Sequence, residues 1–180
     1  NVGDGRLFGL ELEFRKDLDF ISPAFSYFNV SANVTLVQSQ IDMSITEFNA
    51  RKNFERTGEE IDDRRQMAGQ APYVINAGLS YSNPNIGLDA GLFYNVKGRT
   101  LDIVGNGLYP DVFVIPYNSL NFSFIKKFGK EDRASIDFRV SNILNDRVES
   151  VFESFNADDQ FFRSVNPGVG FSLGFSYRLR

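Results

Sequence analysis

The chain has 180 residues, 19 Lys or Arg against 23 Asp or Glu, and a formal net charge of −4. That length suffices for one domain, and the balance shows neither the basic excess of a nucleic-acid binder nor the acidic bias of a disordered tail. Cys and His are both absent, which excludes disulfide frameworks, Cys/His zinc sites, thiol nucleophiles and Ser-His-Asp triads. No apolar run approaches the ~18 residues that a membrane-spanning helix needs, but closed β-barrels cross membranes without one.

Seven alternating segments follow one another along the chain, at approximately 6–16, 27–38, 73–82, 87–98, 117–128, 133–144 and 168–179. A strand points successive side chains to opposite faces, so each segment predicts one apolar and one polar face. The apolar set begins with Phe8, Leu10, Leu12 and Phe14, then Phe28, Val30, Ala32, Val34 and Leu36. It continues with Tyr73, Ile75, Ala77, Leu79, Tyr81 and Leu88, Ala90, Leu92, Tyr94, Val96. The later strands add Leu120, Phe122, Phe124, Phe128, then Ala134, Ile136, Phe138, Val140, then Phe171, Leu173, Phe175 and Tyr177; Lys126 is the one charge in the series. The opposite set is small and polar: Glu11, Glu13, Arg15; Asn29, Ser31, Asn33, Thr35; Ser119, Asn121, Ser123; Ser135, Asp137, Arg139; Ser172, Gly174, Ser176.

Segments of about 10 residues match tilted strands crossing the apolar slab, where strands of soluble sheets average about 5–6. Phe28, Tyr73, Tyr81, Tyr94, Phe128 and Tyr177 fall near segment ends, where interfacial girdles sit. The connections alternate too. "SNPN" (82–85) and "GKED" (129–132) are tight and "DLDFISPAFS" is intermediate, whereas 39–72, 99–116 and 145–167 are long. Short periplasmic turns and long extracellular loops are the pattern of outer-membrane barrels. The expected fold is therefore all-β, an antiparallel transmembrane β-barrel. Bacterial single-chain barrels have an even strand number, so seven strands lead us to expect at least one more before residue 1 and a larger barrel altogether. A soluble sandwich or lipocalin-like barrel would alternate in the same way, with its apolar face inward. A small self-standing outer-membrane barrel, adhesive or structural, is the other alternative.

Candidate binding residues lie in the long connections. Arg51, Lys52, Arg56, Arg64 and Arg65 are suited to an anionic ligand such as a ferric chelate, and Glu59, Glu60, Asp62 and Asp63 to Ca²⁺, although no spaced calcium-loop pattern is present. Tyr109 and Phe113 offer rings for stacking on a ligand such as a sugar. The bland alternative is a solvated loop with compensating charges over a packed barrel top. Asp89, Asn95, Lys97, Asp137 and Arg139 are expected to face a lumen, lining a path or holding a plug. "GNG" and "GVGFSLG" lack a following helix to hold a phosphate. Without His, and with no nucleophile signature, an enzymatic role is not expected, and neither is a cofactor.

Four stretches resemble the C-terminal end of TonB-dependent outer-membrane receptors of Bacteroidetes type. They are "LELEFRKDLDFISPAFSYFNVSANVTLVQSQI" (10–41), "RQMAGQAPYVINAGLSYSNPNIGLDAGLFYNV" (65–96), "IDFRVSNILNDRVE" (136–149) and "NPGVGFSLGFSYRL" (166–179). The resemblance implies a 22-stranded barrel filled by an N-terminal plug, of which residues 1–180 are the C-terminal wall. It implies the outer membrane of a Gram-negative bacterium and import of an iron chelate, cobalamin or glycan with energy from TonB. A surface lipoprotein lid is a further implied partner, and the ligand stays open. The sequence departs from such receptors in having no plug, no TonB-contacting segment and no aromatic at Arg180.

Overall fold

The computed structural model describes residues 3–179. All seven alternating segments form strands, and the molecule is all-β and mostly antiparallel. The long strands are β1 (Gly5–Asp17), β2 (Phe28–Asp42), β4 (Tyr73–Asn83), β5 (Leu88–Lys97), β8 (Tyr117–Phe128), β9 (Ala134–Ser141) and β12 (Gly170–Tyr177). They pair in the order β1-β2-β4-β5-β8-β9-β12, with the two-residue β3 (Arg64–Arg65) added beside β2. Every neighbour in this order is antiparallel. No pairing joins β1 to β12 among the described residues, so the sheet is open and has two edges.

Register carries the alternation across the sheet. Val30, Leu79, Leu92, Phe122, Val140 and Phe171 stand in one row over six strands, and Phe28, Tyr81, Ala90, Phe124, Phe138 and Leu173 in the next. Since a slip of one residue would turn a strand's whole apolar set over, this alignment keeps one face apolar. Little within the chain covers that face: Phe8 is 84% exposed and Leu173 76%. The chain exposes 12151 Å², whereas a folded monomer of 20.4 kDa exposes about 8,800 Å².

The other face is braced by side chains. Asn95 Nδ2 donates to Asn76 Oδ1 at 2.7 Å, Asn76 Nδ2 to Asn33 Oδ1 at 3.3 Å, and Asn33 Nδ2 to Glu11 Oε1 at 3.2 Å. Four strands are thus linked by a ladder of amides perpendicular to them. Beside it the Phe93 ring lies across two glycines. A Cβ on Gly91 would sit 2.5 Å from Phe93 Cε2, and one on Gly78 would sit 2.9 Å from Phe93 Cδ1. The glycines make room for a ring that rests flat on the polar face.

The meander puts its three short connections at one end and its three long ones at the other. Aromatic rings gather at the short end: Phe28 packs edge-on against Phe25 and Tyr81, and Tyr27 against Tyr81. The Tyr27 hydroxyl accepts from Asn85 Nδ2 at 2.8 Å, which gives the polar end of that ring a partner. The long connections are built rather than loose. The first carries α1 (Ile45–Lys52); the second and third supply β6 (Thr100–Ile103), β7 (Val112–Val114), β10 (Val148–Phe152) and β11 (Gln160–Val165). These four pair as a second sheet in the order β11-β10-β7-β6. Its Leu101, 0% exposed, packs with Phe113 and Val151 under Val104 and Ile115. No helix among the described residues is long and apolar enough to cross a membrane, a statement that does not bear on strands.

Candidate functional site

Helix α1 begins at Ser44, whose Oγ accepts from Glu47 N at 3.1 Å. Ser three residues before Glu is the start signal of a helix, and a carboxylate in the first turn suits the helix dipole. Glu47 then gathers cations: Arg65 Nε lies 2.6 Å and Arg51 Nη2 3.5 Å from its Oε1. One turn on, Arg51 makes a two-pronged pair with Asp111, Nη1 to Oδ2 at 3.0 Å and Nη2 to Oδ1 at 2.7 Å. Burial alone pulls the Arg51 pKa down, and the Asp111 and Glu47 carboxylates more than offset it, so the guanidinium stays firmly charged.

Asp111 belongs to the connection between β6 and β7, and its Oδ1 also accepts from Gly105 N at 2.6 Å. The chain between them turns back tightly at Gly107, which has φ +93°. A Cβ there would come 2.3 Å from Ala50 O, so only glycine lets this turn seat against the end of α1. The "GNG" run is therefore a packing device between two connections. Glu153, just after β10, closes the third side: its backbone N donates to Asp111 O at 2.9 Å. Arg99 holds both Glu153, at 3.2 Å, and Asp159, at 2.9 Å. The Arg99 guanidinium also lies over the Phe113 ring, 4.2 Å from its centroid.

Between these three connections is a cavity of about 280 Å³ whose lining includes Arg51, Phe54, Arg56, Glu59, Tyr109, Asp111 and Glu153. The expected ligand residues Arg51, Arg56 and Tyr109 thus meet in one place, from two separate connections. Tyr109 is 64% exposed. Arg64 and Arg65 border a neighbouring cavity of about 350 Å³, together with Arg51 and Phe113. Most of these arginines are already occupied: Arg64 by Asp42 at 3.0 Å, Arg65 by Glu47, Arg51 by Asp111. Phe113 is a core residue packed on Leu101 and Val151, and its ring serves Arg99 instead of standing free. Among the described residues no three or more His, Cys, Asp or Glu side chains are grouped to hold a metal ion, which includes Glu59, Glu60, Asp62 and Asp63.

Asp89, Asn95, Lys97, Asp137 and Arg139 all fall on the polar face of the large sheet by register. Asp89 accepts from Ser82 Oγ at 2.6 Å and lies 3.7 Å from Lys127 Nζ; Asn95 belongs to the amide ladder; Asp137 and Arg139 lie 3.9 Å apart. They are distributed over the face and do not converge on one point. Asp111, Glu153 and Arg99, which hold the cavity together, have no local sequence signal, because their partners lie far along the chain. Glu47 has one: the Ser44-to-Glu47 spacing.

Comparison with profiles of known protein families, with curated proteins and with solved structures finds no match to this chain.

Proposed function

We propose that this chain is part of the wall of an outer-membrane active transporter in a Gram-negative bacterium. In this reading the seven long strands cross the lipid with their apolar rows outward, and the polar face lines a lumen. The long connections stand on the extracellular side and meet the ligand. Energy for uptake comes from TonB through a plug segment that this sequence does not contain. The observation that carries the reading is the contiguous apolar face, aligned row by row over six strands and little covered by the rest of the described residues. Monomeric soluble proteins rarely leave so large an apolar patch open. The two open edges of the sheet favour a larger barrel, since a sheet in lipid must satisfy its edge N–H and C=O groups by closure.

Leu92 stands in the middle row of that face, and an arginine there tests the proposal. Leu92→Arg is expected to cost about 2–4 kcal/mol at the bilayer midplane, so that the wild type inserts into liposomes while the variant stays dispersed in detergent alone. A wild-type protein that folds as a monomer in plain buffer would sink the membrane reading.

A further inference from the structure

The charges around the cavity do not balance, and the imbalance points to a ligand. Arg51, Arg65 and Arg99 face Glu47, Asp111, Glu153 and Asp159, three cations against four anions. Arg56 and Glu59 add one charge of each sign to the lining. Unlike Arg51, Arg65 and Arg99, Arg56 makes no ion pair among the described residues, and it is exposed. The cavity therefore presents one available guanidinium on one connection and an undercompensated carboxylate, Glu153, on another. Phe54 and Tyr109, both exposed, are part of the lining.

We infer that this cavity binds a small zwitterion, a free amino acid or short peptide, with its carboxylate on Arg56 and its ammonium on Glu153. A purely anionic ligand would meet Glu59, Asp111 and Glu153 for the sake of a single unpaired guanidinium. A purely cationic one would leave Arg56 repelling it. A ligand carrying both charges answers both groups, and an aromatic or aliphatic side chain on it would lie against Phe54 and Tyr109. Burial pushes the Glu153 carboxyl up from its ordinary value; Arg99 works against this, while Asp111 and Asp159 add to it. An ammonium brought to Glu153 relieves that crowding of negative charge. The volume of about 280 Å³ lies just below that of drug-sized ligand sites, which start near 300 Å³, as suits a small ligand. The inference names the ligand class of the same site, and it rests on the transport reading for its use in the cell but not for the binding itself.

The test is calorimetric titration of the full-length protein in detergent with the dipeptide glycyl-phenylalanine, its C-terminal amide and its N-acetyl form. Each charge-assisted contact is worth about ten- to a hundredfold in affinity, so amidation and acetylation should each weaken binding by that factor. In Arg56→Gln the dipeptide and its amide should bind alike while acetylation still weakens binding. In Glu153→Gln the acetyl penalty should vanish and the amide penalty remain. Equal binding of all three probes by the wild type, or no binding of the dipeptide up to millimolar concentration, would overturn the inference. Binding by a protein that is monomeric in plain buffer would keep the site and remove the transport reading; insertion into liposomes without dipeptide binding would do the reverse.

Discussion

Asn142 is a buried polar side chain that holds a turn together. It is 4% exposed with φ 52°, in the left-handed region. Its Nδ2 donates to Asp146 O and Gly168 O, both at 3.0 Å, and its Oδ1 accepts from Asp146 N at 3.1 Å. Asparagine tolerates the left-handed conformation and supplies donors and an acceptor at once. Asn142→Ala should therefore cost about 2–4 kcal/mol in equilibrium unfolding, from unpaired backbone groups plus backbone strain. Asn142→Gly should cost about 1 kcal/mol less, because it loses the same hydrogen bonds but takes up the left-handed conformation without strain. The neighbouring Asp146 accepts from Asn118 N at 2.7 Å, Asn118 Nδ2 at 3.0 Å and Arg147 N at 2.9 Å. These bonds, that from the Asn118 backbone first, hold its carboxyl below the ordinary value of 3.8. A depressed carboxylate stabilises the fold above its unfolded pKa and loses that contribution as pH falls through the folded one. The unfolding midpoint should thus drop on acidification below about pH 4, and Asp146→Asn should flatten that part of the profile. The Asn142 turn lies within "SNILNDR", visible in the sequence as a motif but not as a buried knot of hydrogen bonds. The Arg51–Asp111 pair was less visible still, since sixty residues separate its partners and nothing local marks either end.

At the scale of elements, the large sheet depends on agreement between its two faces. Phe93 sits on the polar face only because Gly78 and Gly91 leave space under its ring. Gly91→Ala should destabilise the sheet when Phe93 is present and much less in a Phe93→Ala background. The double-mutant cycle is expected to give a coupling of about 0.5–3 kcal/mol; a value near zero would mean the ring and the glycine are independent. The seven long strands were legible because ten or so residues of alternation fix both the strand and its faces, and the observed strands reproduce the expected segments from Gly5–Asp17 through Gly170–Tyr177. The second sheet was not legible. β7 has three residues and β6 four, too few for a period of two to separate from chance, and the β10 strand that pairs with β7 lies in another connection. Helix α1 is eight residues long with no buried residue, so it lacks the apolar stripe by which a helix is read. Its one readable mark is the Ser44 cap.

Among the described residues the enclosed apolar core lies in the small sheet, around Leu101, Phe113 and Val151, while the large sheet has none of comparable burial. In the transporter reading, lipid and further strands complete this arrangement. In the proposed transporter the polypeptide isolated from native membranes should have, under denaturing conditions, a mass several times the 20.4 kDa of these residues. A measured mass close to that value would leave the two sheet edges without the strands that the transporter reading requires. Alternation in the sequence fixes the two faces of each strand, but it carries no information on closure or on a ligand.

The pairing of β7 with β10 has a mechanical consequence. Val112, Phe113 and Val114 are stitched to Phe152, Val151 and Ser150, and Arg51 fastens α1 to the same assembly through Asp111. Three stretches of chain that leave the large sheet at different points are therefore tied together. Displacing any one of them would drag the other two, as one body and not as three separate fingers. A ligand gripping one stretch would pull on all of them at once.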